Sequence, residues 1–180
     1  MKIRSATIED VKGIAKVHVD SWRSTYRGIV PDVLLDEELT YESREKQWTD
    51  HFGAASTDSI LAVAEDEKNQ IAGFISGGAE RDGDPVYKGE LYAIYILKEY
   101  QKQGLGQKLL LPLLDFLNSR DIDNMLVWVF RDNNSRGFYQ TLGGKLYKEG
   151  EFEIGGAKVT EQAYAWDNIT RLRDELLRKL

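Results

Sequence analysis

The period of the hydrophobic pattern changes several times along the chain, and each change predicts a different element. Besides the central strand at residues 91–97, runs typical of β-strands lie at residues 2–6, 59–65, 70–77, 125–130, 145–152 and 158–166. Apolar residues at helical spacing follow Thr7, fill residues 41–52, and recur from Leu105 and from Ile169. The order combines an antiparallel meander with a crossover, which predicts an α/β (α+β) fold with a mixed sheet.

The chain is organised around residues 90–109, where a strand, a glycine turn and a helix follow one another. Residues 91–97 form a near-continuous apolar run, typical of a strand that is covered on both faces. The turn is the hexapeptide Gln-Lys-Gln-Gly-Leu-Gly, residues 101–106. A glycine turn that opens a helix points unpaired main-chain N–H groups, and the positive end of the helix dipole, at one place. Such a place suits a phosphate group.

Three phosphate-binding patterns compete for this turn. A Walker loop requires Gly-Lys-Ser/Thr after a longer glycine loop, and a dinucleotide fingerprint requires a third glycine where Leu109 stands, so both fail. The third pattern, Gln/Arg-x-x-Gly-x-Gly/Ala between an apolar strand and a helix, matches at every constrained position. Here the chain resembles the GNAT superfamily of acetyl-CoA-dependent N-acetyltransferases, and the resemblance extends over essentially its full length. An ordinary strand–helix turn is the structural alternative.

The resemblance implies a GNAT-like fold, a mixed and mostly antiparallel twisted sheet flanked by helices, with acetyl-CoA as co-substrate. Residues 1–167 would form the acetyltransferase domain, and residues 168–180 a C-terminal helix belonging to the same domain. Cofactor contacts from the strand are then expected at Ile94, Tyr95 and Ile96. The loop that would bind the pyrophosphate comprises Gln101, Lys102, Gln103, Gly104, Leu105 and Gly106.

Residues 130–145 resemble the second GNAT motif, which has an Asn, a small residue at a helix start, then Phe-Tyr and Leu-Gly. Ser135, Phe138-Tyr139 and Leu142-Gly143-Gly144 match these positions. Two adjacent asparagines leave the register of the cofactor contact open, and we prefer Asn133 over Asn134, with Ser135 as the next contact. A helix capped by an asparagine and by Gly143 explains the same residues structurally.

Acetyl transfer needs a neutral attacking amine, a polarised acetyl carbonyl and a proton for the thiolate leaving group. Tyr139 resembles the tyrosine with which many GNAT enzymes protonate the thiolate; its structural alternative is an aromatic core residue. Glu90 stands at the same offset from Gln101 as the base glutamate of histone-acetylating members, although a glutamate at a strand entrance can equally be solvated. His18 and His51 are predicted to be packed or exposed rather than catalytic.

The composition removes several other chemistries. Without cysteine, a disulfide, a zinc–thiolate site and a covalent cysteine intermediate are excluded, so direct transfer in a ternary complex is the predicted mechanism, and no metal-ligand spacing appears. The formal net charge of −6 argues against nucleic-acid binding. The N-terminus lacks a signal-peptide core and no apolar run could span a bilayer, so we expect no membrane association and a cytoplasmic location.

The predicted acceptor is a small cationic amine, such as a polyamine or an amino-acid derivative. In the resemblance, Trp22 and Tyr26 belong to one wall of the acceptor site, and Tyr92 faces them together with acids of residues 78–89. Aromatic faces attract ammonium groups and carboxylates orient them. The alternative is that these aromatic residues belong to the core and the acids are solvated.

Two other functions stay open from the sequence. A protein N-terminal acetyltransferase would share the motifs but need a long, open groove, and a non-catalytic acyl-CoA-binding protein would keep the loop without the chemistry. A homodimer is expected from the apolar stripe of the last helix, although such stripes are more often docked on their own domain. The stripe consists of Ile169, Leu172, Leu176 and Leu180.

Overall fold

In the computed structural model, which describes residues 1–54 and 56–180, a seven-stranded sheet has the order β1-β2-β3-β4-β5-β7-β6. The strands are β1 (Lys2–Ser5), β2 (Ser59–Glu65), β3 (Ile71–Ala79), β4 (Gly89–Ile96), β5 (Met125–Phe130), β6 (Lys145–Ile154) and β7 (Ala157–Trp166). Neighbouring strands are antiparallel except for β4 and β5, which are parallel. The prediction of a mixed, mostly antiparallel sheet is confirmed.

Helices cover both faces of this sheet. They are α1 (Val11–Thr25), α2 (Tyr41–Gly53), α3 (Leu105–Asn118), α4 (Arg136–Thr141) and α5 (Ile169–Lys179). The connection at residues 27–40, for which the sequence predicts irregular structure, contains a π-helical turn at Leu34–Glu38. Helix α3 continues through Pro112, where a kink or local rearrangement is expected from the missing N–H.

Two hydrophobic clusters lie on opposite faces of the sheet. On one face, the leucines of α3 pack with Ile75, Leu91 and Met125 from the strands. On the other face, α1 and α2 contribute Ile14 and Trp48, among others, to a cluster that contains Val63 and Phe74. The near-continuous apolar run of β4 follows from this arrangement, because that strand is covered on both sides.

Helix α5 docks on its own domain. Ile169, Leu172 and Leu176 are buried in the same cluster as the leucines of α3, whereas Leu180 is exposed. Asn168 caps the helix by accepting a hydrogen bond from the N–H of Arg171 at 2.8 Å. The apolar stripe is therefore covered within the chain, and the homodimer prediction loses the surface on which it was based.

Strand β4 carries a bulge that opens the centre of the sheet. Leu91 pairs with Gly77 and Ala93 with Ser76, so Tyr92 has no residue opposite it. The parallel pairing with β5 stops at Leu91, and no residue of β4 beyond it pairs with β5. Main-chain groups of the second half of β4 are thus free of the β5 ladder, and a cleft separates the two strands.

Candidate active site

The glycine loop begins helix α3 with an unusual backbone conformation. Gly104, the residue before the helix, has φ +76°, and Lys102 has φ +60°. The left-handed region favours glycine, because a Cβ crowds the backbone there. The N–H of Lys108 donates to the carbonyl of Gly104 at 3.2 Å. The N–H groups of residues 105–107 precede this bond and have no acceptor within the helix.

A cavity of about 640 Å³ lies against this loop. Most of the predicted cofactor residues line it, namely Ile94, Ile96, Gln101, Lys102, Gly104, Leu105, Gly106 and Ser135. Others that line it were not predicted to bind the cofactor: Tyr100, Gln107, Asn134, Gly137, Phe138 and Thr141. Phe138 and Thr141 follow the predicted Ser135 at intervals of three residues, so a helical projection of α4 could have found them.

Three predicted cofactor residues do not line the large cavity. Tyr95 and Asn133 lie at a second, smaller cavity, and Gln103 lies at neither. The side-chain amide of Gln103 donates instead to the carbonyl of Glu99 at 2.9 Å, and that of Gln101 donates to the carbonyl of Ile96 at 2.9 Å. Gln101 therefore holds the loop to the end of β4, and Gln103 holds it to the turn that follows the strand.

The two asparagines have different surroundings. Asn133 is buried, and its side-chain oxygen accepts a hydrogen bond from the N–H of Ser135 at 2.8 Å, which forms the turn into α4. Asn134 lines the large cavity. In this geometry Asn134 has the open path to a ligand in the large cavity, and Asn133 shapes the backbone beside it.

The second cavity, of about 80 Å³, lies in the cleft between β4 and β5. It shares with the large cavity the residues Ile94, Ile96, Gln101, Ser135 and Tyr139. Its other lining residues are Ser21, Thr25, Tyr26, Tyr92, Ala93, Tyr95, Val127, Trp128, Val129 and Asn133. The two cavities therefore adjoin at this shared wall.

Tyr139 stands at that shared wall. Its ring packs on Phe138 at 5.4 Å between ring centres and on the core residues Tyr164 and Trp166 at 6.5 Å and 6.3 Å. Burial raises the pKa of the Tyr139 hydroxyl, and the neighbouring Tyr95 adds to the effect. The phenol thus keeps its proton at neutral pH, as a proton donor must.

Glu90 lies outside both cavities and is already paired. Its side chain is only 2% exposed, and its carboxylate accepts hydrogen bonds from the main-chain N–H of Arg81 and from both Nε and Nη2 of that residue, the last at 2.6 Å. The Glu90 carboxylate holds the pKa of the Arg81 guanidinium above its ordinary value. The role of Glu90 as base stays a prediction, with Arg81 as a competitor for its carboxylate.

The predicted acceptor aromatics are divided. Tyr26 and Tyr92 line the small cavity, and burial raises the pKa of Tyr92 to about 12. Trp22 does not line it; its ring packs edge-on against Tyr26 at 4.7 Å. Trp128 was not predicted and completes this aromatic wall. Its place follows from the pairing of β5 with distant strands, which the local sequence does not specify.

The two histidines take no part in either cavity. His18 is buried, stacked on Tyr95 at 5.3 Å, and its Nδ1 accepts a hydrogen bond from the indole N–H of Trp48 at 3.2 Å. Burial, with a contribution from the charge of Arg44, lowers the pKa of His18 to about 3. The prediction that His18 is a packed residue is confirmed.

Within residues 1–54 and 56–180, no group of three or more His, Asp or Glu side chains is arranged to hold a metal ion. Over the same described residues, each helix is too short or too polar to cross a bilayer.

Comparisons with known proteins agree with this geometry. A family model described as the acetyltransferase (GNAT) family matches residues 18–143. The chain is similar to the uncharacterized N-acetyltransferase YuaI of Bacillus subtilis strain 168, with 41% identity over 176 residues that cover 98% of each chain. It is 26% identical over 148 residues to the spermidine N(1)-acetyltransferase of Thermoplasma acidophilum, which covers 81% of this chain and 89% of that protein.

The fold is similar to that of solved acetyltransferase structures. The crystal structure of PaiA N-acetyltransferase from Thermoplasma acidophilum in complex with coenzyme A aligns with a TM-score of 0.70 and 23% sequence identity. The alignment covers 91% of this chain and 98% of that one.

Proposed function

The chain belongs to the GNAT family of acetyltransferases, and from this premise we propose that it transfers an acetyl group from acetyl-CoA to the primary amine of a small cationic molecule. One observation carries the proposal: a large cavity at the glycine loop and a small cavity across the sheet meet at a shared wall that contains Tyr139. A donor and an acceptor can thus approach each other from opposite faces of one sheet.

Acetyl-CoA is the donor and occupies the large cavity. The free N–H groups at the start of α3, with the helix dipole, suit its pyrophosphate. The half of β4 that has left the β5 ladder runs beside the cavity, with Ile94 and Ile96 in its lining. The main-chain groups on its β5 side suit the amide groups of the pantetheine arm and the oxygen of the acetyl carbonyl, because β5 does not pair with them there.

The reaction is direct transfer in a ternary complex. The nitrogen lone pair of the neutral amine attacks the acetyl carbonyl carbon, the C–S bond breaks, and the thiolate leaves. Tyr139 gives its proton to the sulfur, and the amine loses a proton to a base or to water as the amide forms. The absence of cysteine from the chain supports direct attack, since no cysteine thioester can form.

The acceptor side is closed in a way that suits a small molecule. The tip of the β6–β7 hairpin reaches the segment between α1 and α2, where Ile154 packs in a cluster with Tyr26 and Leu35. At Gly155, an added Cβ would lie 3.3 Å from Leu34 and 3.4 Å from Pro31. This contact closes one end of the acceptor side, so we favour a small amine over a protein N-terminus.

The test is a panel of amines with acetyl-CoA, followed by the release of free thiol. Titration calorimetry should give one acetyl-CoA site per chain, and small cationic amines such as polyamines should be acetylated at millimolar concentrations or below. Activity restricted to anionic acceptors or to peptide N-termini would refute the small-amine proposal. Binding of acetyl-CoA without transfer to any amine would favour a non-catalytic acyl-CoA-binding protein.

A further inference from the structure

Glu161, on β7, faces the acceptor side of the sheet and has no role in the chemistry above. It lies opposite Phe130 in the β5–β7 pair and opposite Gly150 in the β6–β7 pair. Residues opposite each other in antiparallel strands share a face. Phe130 packs against Tyr26, a wall of the small cavity, at 5.4 Å between ring centres. Glu161 is therefore on the same face as the acceptor wall.

The carboxylate of Glu161 has no cationic partner in the part of the chain that the structure describes. Among residues 1–54 and 56–180 it forms no hydrogen bond and no ion pair, whereas two acids nearby are neutralised, Glu90 by Arg81 and Asp84 by Lys148. Burial, followed by the negative charges of Asp82 and Glu90, raises the pKa of Glu161. A partly buried carboxylate without a counter-ion gains by receiving a cation from outside.

An indole ring lies beside this carboxylate. A Cβ added at Gly150 would be 3.5 Å from the ring of Trp128 and 3.6 Å from Oε1 of Glu161, so the missing side chain of Gly150 leaves space next to both groups. Lys148 lies 5.3 Å from the centre of the same ring, but its ammonium is bound to Asp84 at 2.7 Å. A carboxylate and an aromatic face together make a favourable site for an ammonium group.

The position of Glu161 relative to the reaction decides which ammonium it can meet. Trp128 on β5 lines the small cavity, whereas Glu161 on the neighbouring β7 does not. Adjacent strands are about 4.8 Å apart, so Glu161 on β7 stands one strand further from β4, at the small cavity, than Trp128 does. An amine that attacks the acetyl group in the small cavity cannot at the same time bind Glu161, but a second charged group a few methylenes away can.

We propose that Glu161 is a specificity-determining residue that binds the second positive charge of the acceptor, so that diamines and polyamines are preferred over monoamines. This inference rests on the proposed function and sharpens its substrate class. It requires no rearrangement of the Glu90–Arg81 pair, because Glu161 forms no ion pair with any residue that the structure describes.

The experiment compares putrescine with butylamine, which has the same carbon chain and a single amine. For the unaltered protein, kcat/KM should be at least about tenfold higher for putrescine, the scale of one carboxylate–ammonium contact next to an aromatic face. Glu161→Gln should remove most of this preference by raising KM for putrescine, with kcat little changed and butylamine kinetics within about twofold. Glu161→Asp, which keeps the charge, should retain more of the preference.

Glu153→Gln is the matched control, since it removes the same charge from the opposite face of the hairpin. Glu153 lies opposite Lys158 in the β6–β7 ladder. This control should leave the preference intact, and acetyl-CoA calorimetry with thermal unfolding verifies that each variant is folded. Equal use of both amines by the unaltered protein, or an equal loss for both in Glu161→Gln, would overturn this inference alone. Transfer to neither of these two nor to any other amine of the panel by the unaltered protein would overturn the proposed function as well.

Discussion

The two sides of the β4–β5 cleft are built in different ways. The donor side consists of two short stretches of chain, residues 94–107 and 134–141, and it presents mainly backbone at the start of one helix. The acceptor side is assembled from α1, β4, β5 and β7 together with the β3–β4 loop, and two of its carboxylates, Glu90 and Asp84, are paired with Arg81 and Lys148. Local backbone geometry thus determines the donor site, whereas long-range packing determines the acceptor site.

The largest effect is expected from a change of backbone conformation on the donor side. Gly104→Val should abolish acetyl-CoA binding, because a β-branched residue disfavours φ +76° and the loop would lose the arrangement of its N–H groups. Titration calorimetry measures the loss, which we expect to exceed about 100-fold.

The acceptor side offers a matched control for this change. Gly83, in the loop between β3 and β4, also has φ +76° with nothing within 4 Å of an added Cβ. Gly83→Val should lower the free energy of unfolding by roughly 1–2 kcal/mol, as the same change at Gly104 should, but leave acetyl-CoA affinity unchanged. Equal affinity losses in both variants would mean that the donor loop has no special role.

The next effect concerns the wall that the two sides share. Tyr139→Phe should lower kcat by roughly 10²-fold, the scale of a lost general acid, while acetyl-CoA affinity stays nearly constant. Tyr164→Phe removes a hydroxyl from the ring that stacks behind Tyr139 and loses its hydrogen bonds with Gln140 and Gln162, so its kcat should change little. Unchanged turnover in Tyr139→Phe would make this tyrosine a packing residue.

A smaller effect tests whether the paired acid of the acceptor side also takes part in the chemistry. If Glu90 is the base, Glu90→Gln should lower the rate at neutral pH, with partial recovery at high pH where the amine is already neutral. The pH dependence of kcat/KM measures this. A loss of acceptor affinity without recovery would assign Glu90 to binding, and Arg81→Gln, which removes its partner, should then alter KM in the same way.

The smallest effect at neutral pH is expected at His18, behind the acceptor wall. Its pKa of about 3 in the folded state lies below the ordinary 6.5. Below about pH 6.5 the unfolded state therefore binds one more proton than the folded state, and the free energy of unfolding decreases as the pH is lowered. The loss should be about 2 kcal/mol at pH 5 relative to neutral pH. Urea unfolding should show this for the unaltered protein and for His51→Asn, and a weaker dependence for His18→Asn.

The same contrast explains what the sequence could predict. The strand, the loop and the helix of residues 90–109 can be predicted from the local spacing of apolar residues and from the glycines. For this reason most of the residues predicted to bind the donor line the large cavity. The choice between Asn133 and Asn134 depends on the geometry of one turn, and periodicity does not determine it. The apolar stripe of α5 is visible in the sequence, but the surface that covers it is not.

On the acceptor side, the sequence shows residue types but not their partners. The ion pair of Arg81 with Glu90 forms because a loop folds back onto a strand. Glu161 lies beside Trp128 because β5, β6 and β7 pair with one another. Trp22 is an aromatic residue of the type that often lines binding sites, yet its ring packs behind Tyr26. Such assignments require the three-dimensional contacts, because the residues concerned are distant in the chain.

The bulge at Tyr92 makes the cleft depend on the number of residues in β4. Leu91 and Ile94 face the same cluster although three positions separate them, because one extra residue shifts the alternation. Replacing Tyr92 would alter a wall of the small cavity and leave this count unchanged. Deleting it would restore simple alternation, with Leu91, Ile94 and Ile96 still on one face, and would allow the ladder with β5 to continue past Leu91. The cleft should therefore tolerate a substitution at Tyr92, whereas deletion of one residue from β4 would remove the passage between donor and acceptor.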